Sequence, residues 1–454
     1  MTSDAPTPQP VPDGPFVASR FVSLSFDDDG ALVVHSSRTG AIGVVAADQA
    51  ETARRALLPT MVSHPPFTGV LADLVAGGML IPQGMDEAQL VRDEYLERYD
   101  PTGLHLVILP TEECNFRCVY CYESFLRGEM PDSVQAGIRR FVAANTELQW
   151  LNVQWFGGEP LLAPGIMIEM SRWFQQHAER HGIEYVATAT TNGALLTPEV
   201  ADQIIPLGVG TFQITLDGVE HDHDARRQGR HGEKTFQSIM DNLRSLRSSD
   251  LDFKVILRHN FDPETLTRVD AYLNLIGAEF GGDPRFSTHW HPIGRWGGAN
   301  DATLQVCEGR SAAHAVLQTR RAAAAVGFRD ESLVDELQPH GSVCYAANPR
   351  SFVIGPDGLV YKCTVELDYH DRNLVGKLRP DGVMEMDWHK LALWCETDGL
   401  EGEKKCTTCW FSPGCHGAVC PKGWLDAGDV GCPPSKQMIG ETLRYVRAES
   451  LLGA

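Results

Sequence analysis

Three cysteines stand close together in Cys114-Asn-Phe-Arg-Cys118-Val-Tyr-Cys121. Thiolates on one tight loop can ligate three irons of a 4Fe–4S cubane, which leaves the fourth iron open to a ligand. The other reading is a zinc knuckle completed by a distant ligand, although structural zinc prefers paired CxxC. A second set follows: Cys344, Cys363, then Cys406-x2-Cys409-x5-Cys415-x4-Cys420, then Cys432. The CxxC pair at 406–409 also suits a zinc ribbon, but seven ligands are awkward for zinc. Cys307 and Cys395 are left over and read as buried apolar filler. Twelve cysteines in a reducing compartment point to metal rather than disulfides. Gly157-Gly158-Glu159-Pro160 adds a glycine pair, which exposes backbone to a close ligand.

The elements that must position these groups follow from periodicity. The stretches 105–110, 151–156, 184–190, 211–217, 253–260 and 286–293 are apolar and β-rich, with helical segments between them. Repeated βα units argue for parallel strands, in a partial barrel or a doubly wound sheet. Ligand sites in such folds lie at the carboxyl ends of strands. The first cysteine loop follows one such end, 157–160 another, and Thr191-Asn192-Gly193 a third. The segment Gln213-Ile-Thr-Leu-Asp217-Gly218, with His223, Asp224 and Arg227 beyond, ends a fourth. Arg258 and Asn260 end a fifth, and His289-Trp290-His291 with Gly294–Gly298 is placed to face the opening. Residues 310–340 read as helical, and from 341 onward regular periodicity fades, as it does where metal replaces a hydrophobic core. Ahead of Asp100-Pro101 the pattern differs. Strands at 20–26, 31–37 and 40–45 precede helices near 47–58, 65–79 and 86–99, a small α+β module.

Composition narrows the function classes. The chain of 454 residues has a formal net charge of −21, which argues against broad nucleic-acid binding. No apolar run is long enough to span a bilayer. The acidic, proline-rich residues 1–16 lack the basic start and apolar run of a signal peptide, so they read as a flexible leader on a cytoplasmic protein. The expected divisions are 1–16 leader, 17–100 N-terminal module, 101–310 barrel, 311–340 helical linker and 341–454 cysteine-rich domain.

With these residues in hand, the chain resembles the radical S-adenosylmethionine (SAM) superfamily. Cys114, Cys118 and Cys121 match its cluster motif, and Tyr120 matches the aromatic position near the adenine. Gly157, Gly158, Glu159 and Pro160 match its GGEP element. The seven later cysteines resemble the SPASM extension, with one departure: four residues, 416–419, stand where the family usually has three. The resemblance implies a partial (β/α)6 radical SAM barrel, a C-terminal SPASM domain and an N-terminal winged-helix-like module for leader recognition. It implies SAM as cofactor, received at 157–160, with Thr191 and Asn192 on the ribose side and Arg227 at the cofactor carboxylate. It implies three 4Fe–4S clusters. Cys406, Cys409, Cys415 and Cys432 would hold the outer auxiliary cluster; Cys344, Cys363 and Cys420 would hold the inner one. The expected activity is reductive cleavage of SAM to a 5′-deoxyadenosyl radical that oxidatively modifies, as by crosslinking, a ribosomally made precursor peptide. The partners would be that peptide with its leader and a one-electron donor such as flavodoxin or ferredoxin. No general base is assigned; Asp217 is the position to test. The nearest rival is an anaerobic sulfatase-type maturase that makes formylglycine. A different class is a non-catalytic iron–sulfur or zinc protein.

Overall fold

The computed structural model describes residues 14–329, 332–367, 370–396, 404–428 and 431–452. Most of the expected leader, up to residue 13, lies outside the described residues. Phe16, which the sequence reading placed in that leader, begins strand Phe16–Ala18 and is buried.

Six parallel strands carry the centre of the molecule: Gly103–Ile108, Trp150–Trp155, Glu184–Thr191, Val209–Thr215, Lys254–Phe261 and Phe286–Pro292. They are neighbours in that order, counted below as the first to sixth. Five of the intervening helices are Asp132–Ala144, Pro164–His181, Pro198–Ile204, Phe236–Arg247 and Val269–Phe280. The first strand is buried almost without a break, as expected when both faces of a parallel strand are covered. Later strands alternate. Phe212 and Ile214 pack in the core, while Gln213 and Thr215 turn to a central cavity. Helix Phe236–Arg247 buries Phe236, Ile239, Met240, Leu243 and Leu246, one stripe at helical spacing laid against the sheet.

The sheet continues past the first strand. Strand Ser351–Ile354 pairs parallel with it, and antiparallel strands Leu359–Tyr361, Leu374–Leu378 and Met384–Met386 follow, for ten strands in all. The cysteine-rich region is thus grafted onto the barrel's own sheet. Its strands are three to five residues long, too short for an alternation to show in sequence.

In the N-terminal module, Val22–Phe26, Leu32–Ser36 and Ile42–Val45 form an antiparallel sheet. Leu32 and Val34 pack on the helices Ala47–Ala56 and Val70–Ala76. Val33, on the opposite face, packs against Leu337, Phe411 and Leu443 of the C-terminal region. The helix expected over 65–79 is only Val70–Ala76. Pro65 and Pro66 disfavour helix before them, and Gly69 takes a positive φ of 54° just ahead of the first turn. The expected helix over 86–99 runs Glu87–Leu96, capped by Asp86, which accepts a hydrogen bond from the Gln89 amide. The closing helix Ile439–Leu452 lies against the N-terminal sheet, where Arg447 pairs with Asp27 and Asp29. No helix among the described residues is long and apolar enough to cross a membrane.

Candidate active site

A cavity opens at the carboxyl ends of the parallel strands, and Cys114, Cys118 and Cys121 all line it as free thiols. Cys118 ends the short strand Phe116–Cys118, which pairs antiparallel with Arg227–Gly229 so that Arg227 stands opposite it. Burial pushes the thiol pKa values up, that of Cys121 to about 12. Iron binding would therefore release protons, as thiolate ligation requires. No three His, Cys, Asp or Glu side chains of the described residues converge on one point as a single ion needs. A cubane spreads its thiolates over separate irons.

The loop at 157–160 is pressed against the backbone that leads into Cys114. A Cβ on Gly157 would lie 2.2 Å from the Thr111 carbonyl, and one on Gly158 would lie 2.3 Å from that of Glu112. Only glycine permits this approach. The Glu159 amide donates to the Glu113 carbonyl at 2.9 Å, which locks the two loops together. The Glu159 carboxylate is fully buried and turns away from the cavity. It accepts from the Leu161 amide at 3.0 Å, the Thr191 hydroxyl at 2.7 Å and the Asn192 amide at 2.7 Å. Thr191 and Asn192 line the cavity. Asn192 also donates through Nδ2 to Asn115 at 2.7 Å, tying the third strand to the cysteine loop.

Tyr120 is a hub. Its hydroxyl donates to Asp217 Oδ2 and accepts from Arg227 Nη1 at 2.8 Å and Asn260 Nδ2 at 3.1 Å. The other Asp217 oxygen takes the Asn260 amide at 2.9 Å. Asp217 is thus buried with both oxygens engaged, and it does not line the cavity. Tyr120, Arg227, Arg258 and Asn260 do, together with Gly157 and Gly158, whereas Pro160 is buried behind them. Gln213 and Thr215, of the segment 213–218 expected from sequence, line it as well, as do Tyr122 and Thr190, which were not singled out from sequence. Strand alternation was the signal available for Thr190. The donor set, the glycine approach and the polar wall fit a cysteine-ligated cluster with a small polar cofactor beside it.

A family model for the Radical SAM superfamily matches residues 108–276, which contain the cysteine loop and its polar wall. This chain carries a radical SAM domain. Among curated relatives, the mycofactocin maturase MftC of Mycolicibacterium smegmatis is 23% identical over 68% of this chain and 75% of its own length. The serine-type anaerobic sulfatase-maturating enzyme of Klebsiella pneumoniae is 26% identical over 40% of this chain and 48% of its own. The chain spans about half the length of most curated relatives it matches. Native anSMEcpe, solved with bound AdoMet and the Kp18Cys peptide, is similar in fold at 16% identity with a TM-score of 0.58. That likeness covers 76% of this chain and 97% of anSMEcpe, so it reaches well beyond the radical SAM domain.

Outside that domain the structure gathers the other cysteines into two groups. Cys344, Cys363 and Cys420 form the first: burial, with Cys344 and Cys420 nearby, pushes the Cys363 thiol up to about 12, and burial with Cys420 nearby raises that of Cys344. Cys406, Cys409, Cys415 and Cys432 form the second group, and Lys436 Nζ donates to Cys432 Sγ at 3.2 Å. Cys395 is buried in helix Trp388–Cys395. Cys307 lines a second, larger cleft of about 650 Å³.

Proposed function

We propose that this chain is a radical SAM peptide maturase that oxidatively modifies, and by preference crosslinks, residues of a ribosomally made precursor peptide. The observation that carries this reading is the continuity of the two spaces. His291, Pro292, Ile293, Gly294 and Trp296 line both the cysteine cavity and the larger cleft. The cleft is lined by Ala312, Val316 and Leu317 and by Val419, Pro433 and Met438. It therefore runs from the first cysteine loop toward the neighbours of Cys420 and Cys432, with room for side chains of a peptide.

Cys114, Cys118 and Cys121 would hold a 4Fe–4S cluster with SAM beside it in the cavity, and together these would supply one-electron reductive cleavage of the sulfonium for hydrogen abstraction from substrate. Around them the chain's own groups position and exclude. Gly157 and Gly158 offer backbone to the cofactor, and Arg227, opposite Cys118, meets its carboxylate as a planar guanidinium suits. Tyr120 holds Arg227 and Asn260 in place, with Asp217 as its anchor. Phe125, Phe156 and Trp296 line the cavity and help keep water from it. Cys344, Cys363 and Cys420 hold an inner auxiliary cluster, and Cys406, Cys409, Cys415 and Cys432 an outer one. Such clusters would supply a place for the electron released in a net oxidation. The donor is a flavodoxin- or ferredoxin-type protein of the reducing cytoplasm. The leader adds as a strand to Ile42–Val45, which pairs on one edge with Leu32–Ser36 and borders a groove on helix Val70–Ala76.

Anaerobic reconstitution tests the reading. About twelve irons per chain are expected for three cubanes, with 5′-deoxyadenosine released on reduction. Coexpression with a peptide encoded beside this gene should give a product lacking two hydrogens per modification. Reduced, iron-loaded protein that releases no 5′-deoxyadenosine would sink the proposal. The second reading, formylglycine formation, draws on the alignment with the serine-type sulfatase-maturating enzyme. It predicts a product that reacts with hydrazine probes, which a crosslink does not.

A further inference from the structure

The cavity holds two arginines with different surroundings. Arg227 stands beside the cysteine loop, hydrogen bonded to Tyr120 and 5.8 Å from the Phe116 ring centroid. Arg258 is on the fifth strand opposite His289, at the end of the cavity that meets the cleft. Its Nε donates to Asn260 Oδ1 at 2.8 Å. Its two terminal nitrogens make no hydrogen bond to a described residue, and no carboxylate of a described residue lies within ion-pair distance. Asp217, whose charge acts on it, has both oxygens taken; Glu123 also lines the cavity and its charge acts on Tyr122. The Tyr122 phenol faces the same cavity and is the strongest opposing influence on Arg258. Burial lowers the Arg258 pKa, yet a guanidinium stays charged in proteins. A partly buried cation with a planar pair of donors aimed into an open cavity is a site for an anion. The cleft's own acids are spoken for, Glu336 by Arg320 at 2.8 Å and Glu308 by Arg295 at 3.6 Å.

We infer that Arg258, with the Tyr122 hydroxyl, is a substrate carboxylate site, so that the peptide enters with a carboxylate seated there and an apolar side chain in the cleft. This rests on the peptide-maturase reading above and specifies its substrate. The carboxylate is either the C-terminus of the peptide or an Asp or Glu side chain. Arg227 accounts for the cofactor's own carboxylate at the other end. Arg258 is a specificity-determining residue in this scheme: it fixes which residue of the peptide lies before the cofactor.

The test uses reconstituted, SAM-loaded protein and two probe pairs, read by anaerobic calorimetry. The first pair is N-acetyl-Leu-Leu as free acid and as amide. The second is N-acetyl-Leu-Glu-amide and N-acetyl-Leu-Gln-amide. Wild type should favour the carboxylate member of at least one pair by about tenfold, a charge-assisted bidentate contact against a neutral one. Preference in the first pair identifies the C-terminus, and in the second an acidic side chain. Arg258→Gln should bring that ratio to about one. Arg258→Lys, which keeps the charge but loses the planar fork, should retain an intermediate ratio, and Tyr122→Phe should lower it. Equal binding within both pairs by wild type overturns the inference without any variant. So does competition between the free acid and SAM for one place, which would give Arg258 to the cofactor. Release of 5′-deoxyadenosine by the same wild-type sample is read separately. If it fails while the carboxylate preference stands, the maturase reading falls and the site remains.

Discussion

The two ends of the continuous cavity are built on opposite plans. At the cysteine end the hydrogen bonds among the described residues are dense, although Arg227 Nε has no partner there. Glu159 takes three donors, Tyr120 makes three hydrogen bonds, and Gly157 and Gly158 rest on carbonyls of the neighbouring loop. At the cleft end the walls are apolar and Arg258 points into space. A site that generates a radical must be fixed before substrate arrives, because misplacement costs rate and admits water. A site that selects substrate must leave its strongest contact unmade.

The largest contrast should come from the cysteines. Cys118→Ala is expected to abolish 5′-deoxyadenosine formation and to reduce iron from about twelve to about eight per chain, the loss of one cubane. Cys307→Ser, at the cleft end, should leave the iron count intact. If both lowered iron equally, the division between the two ends would be wrong.

Next in size is Gly158→Ala. The added Cβ would meet the Glu112 carbonyl at 2.3 Å and that of Glu113 at 2.6 Å, both backbone atoms. Separating the two loops should cost about 3 kcal/mol or more. A melting temperature lowered by several degrees, with poorer cluster loading at the first loop alone, is the expected result. An unchanged melt would show that the loops are not tightly joined.

Tyr120→Phe should be milder in stability and specific in effect. It leaves Asp217 Oδ2 without its donor, a cost of about 1–3 kcal/mol for a buried group, and frees Arg227. We expect weaker SAM binding, seen as a higher KM for SAM in 5′-deoxyadenosine release. Glu159→Gln puts an amide where three donors converge and should cost a similar amount in stability.

Much of the cysteine end was legible because spacing and strand ends are local features. The six strand stretches are found within two residues of their expected limits, and each candidate loop follows one of them. The roles of single residues were less legible. Glu159 belongs to the GGEP pattern, yet its carboxylate points inward, since orientation depends on Thr191 and Asn192 more than thirty residues away. Thr190 was hidden because strand alternation says which residues share a face but not which face lines a site. The cleft was legible only along 289–298, the stretch expected to face the opening. Its walls come from 289–320, 333–342 and 419–442, and no local pattern joins them. The parallel pairing of Ser351–Ile354 with Gly103–Ile108 is of the same kind, a contact of very long sequence separation.

That pairing carries the smallest effect. His105 on the first strand shares a hydrogen bond between Nδ1 and Ser351 Oγ at 2.9 Å, and its ring packs edge-on against Tyr345. Burial, with the nearby Lys362 charge, lowers its pKa to about 4. The unfolded chain binds a proton at the usual histidine value near 6.5, whereas the folded chain does not until about pH 4. Stability from this group is therefore complete above about pH 6.5 and is lost as pH falls toward 4, at ~1.4 kcal/mol per pH unit. His105→Gln keeps a polar side chain of similar reach but removes the titration. Chemical denaturation between pH 7 and 5 should show wild type losing more stability than the variant. Because His105 lies on the seam to the cysteine-rich region, the difference should appear in the unfolding of both regions together. Equal slopes for the two proteins would mean that the seam opens before the histidine is charged, and that the graft onto the barrel sheet is looser than the register implies.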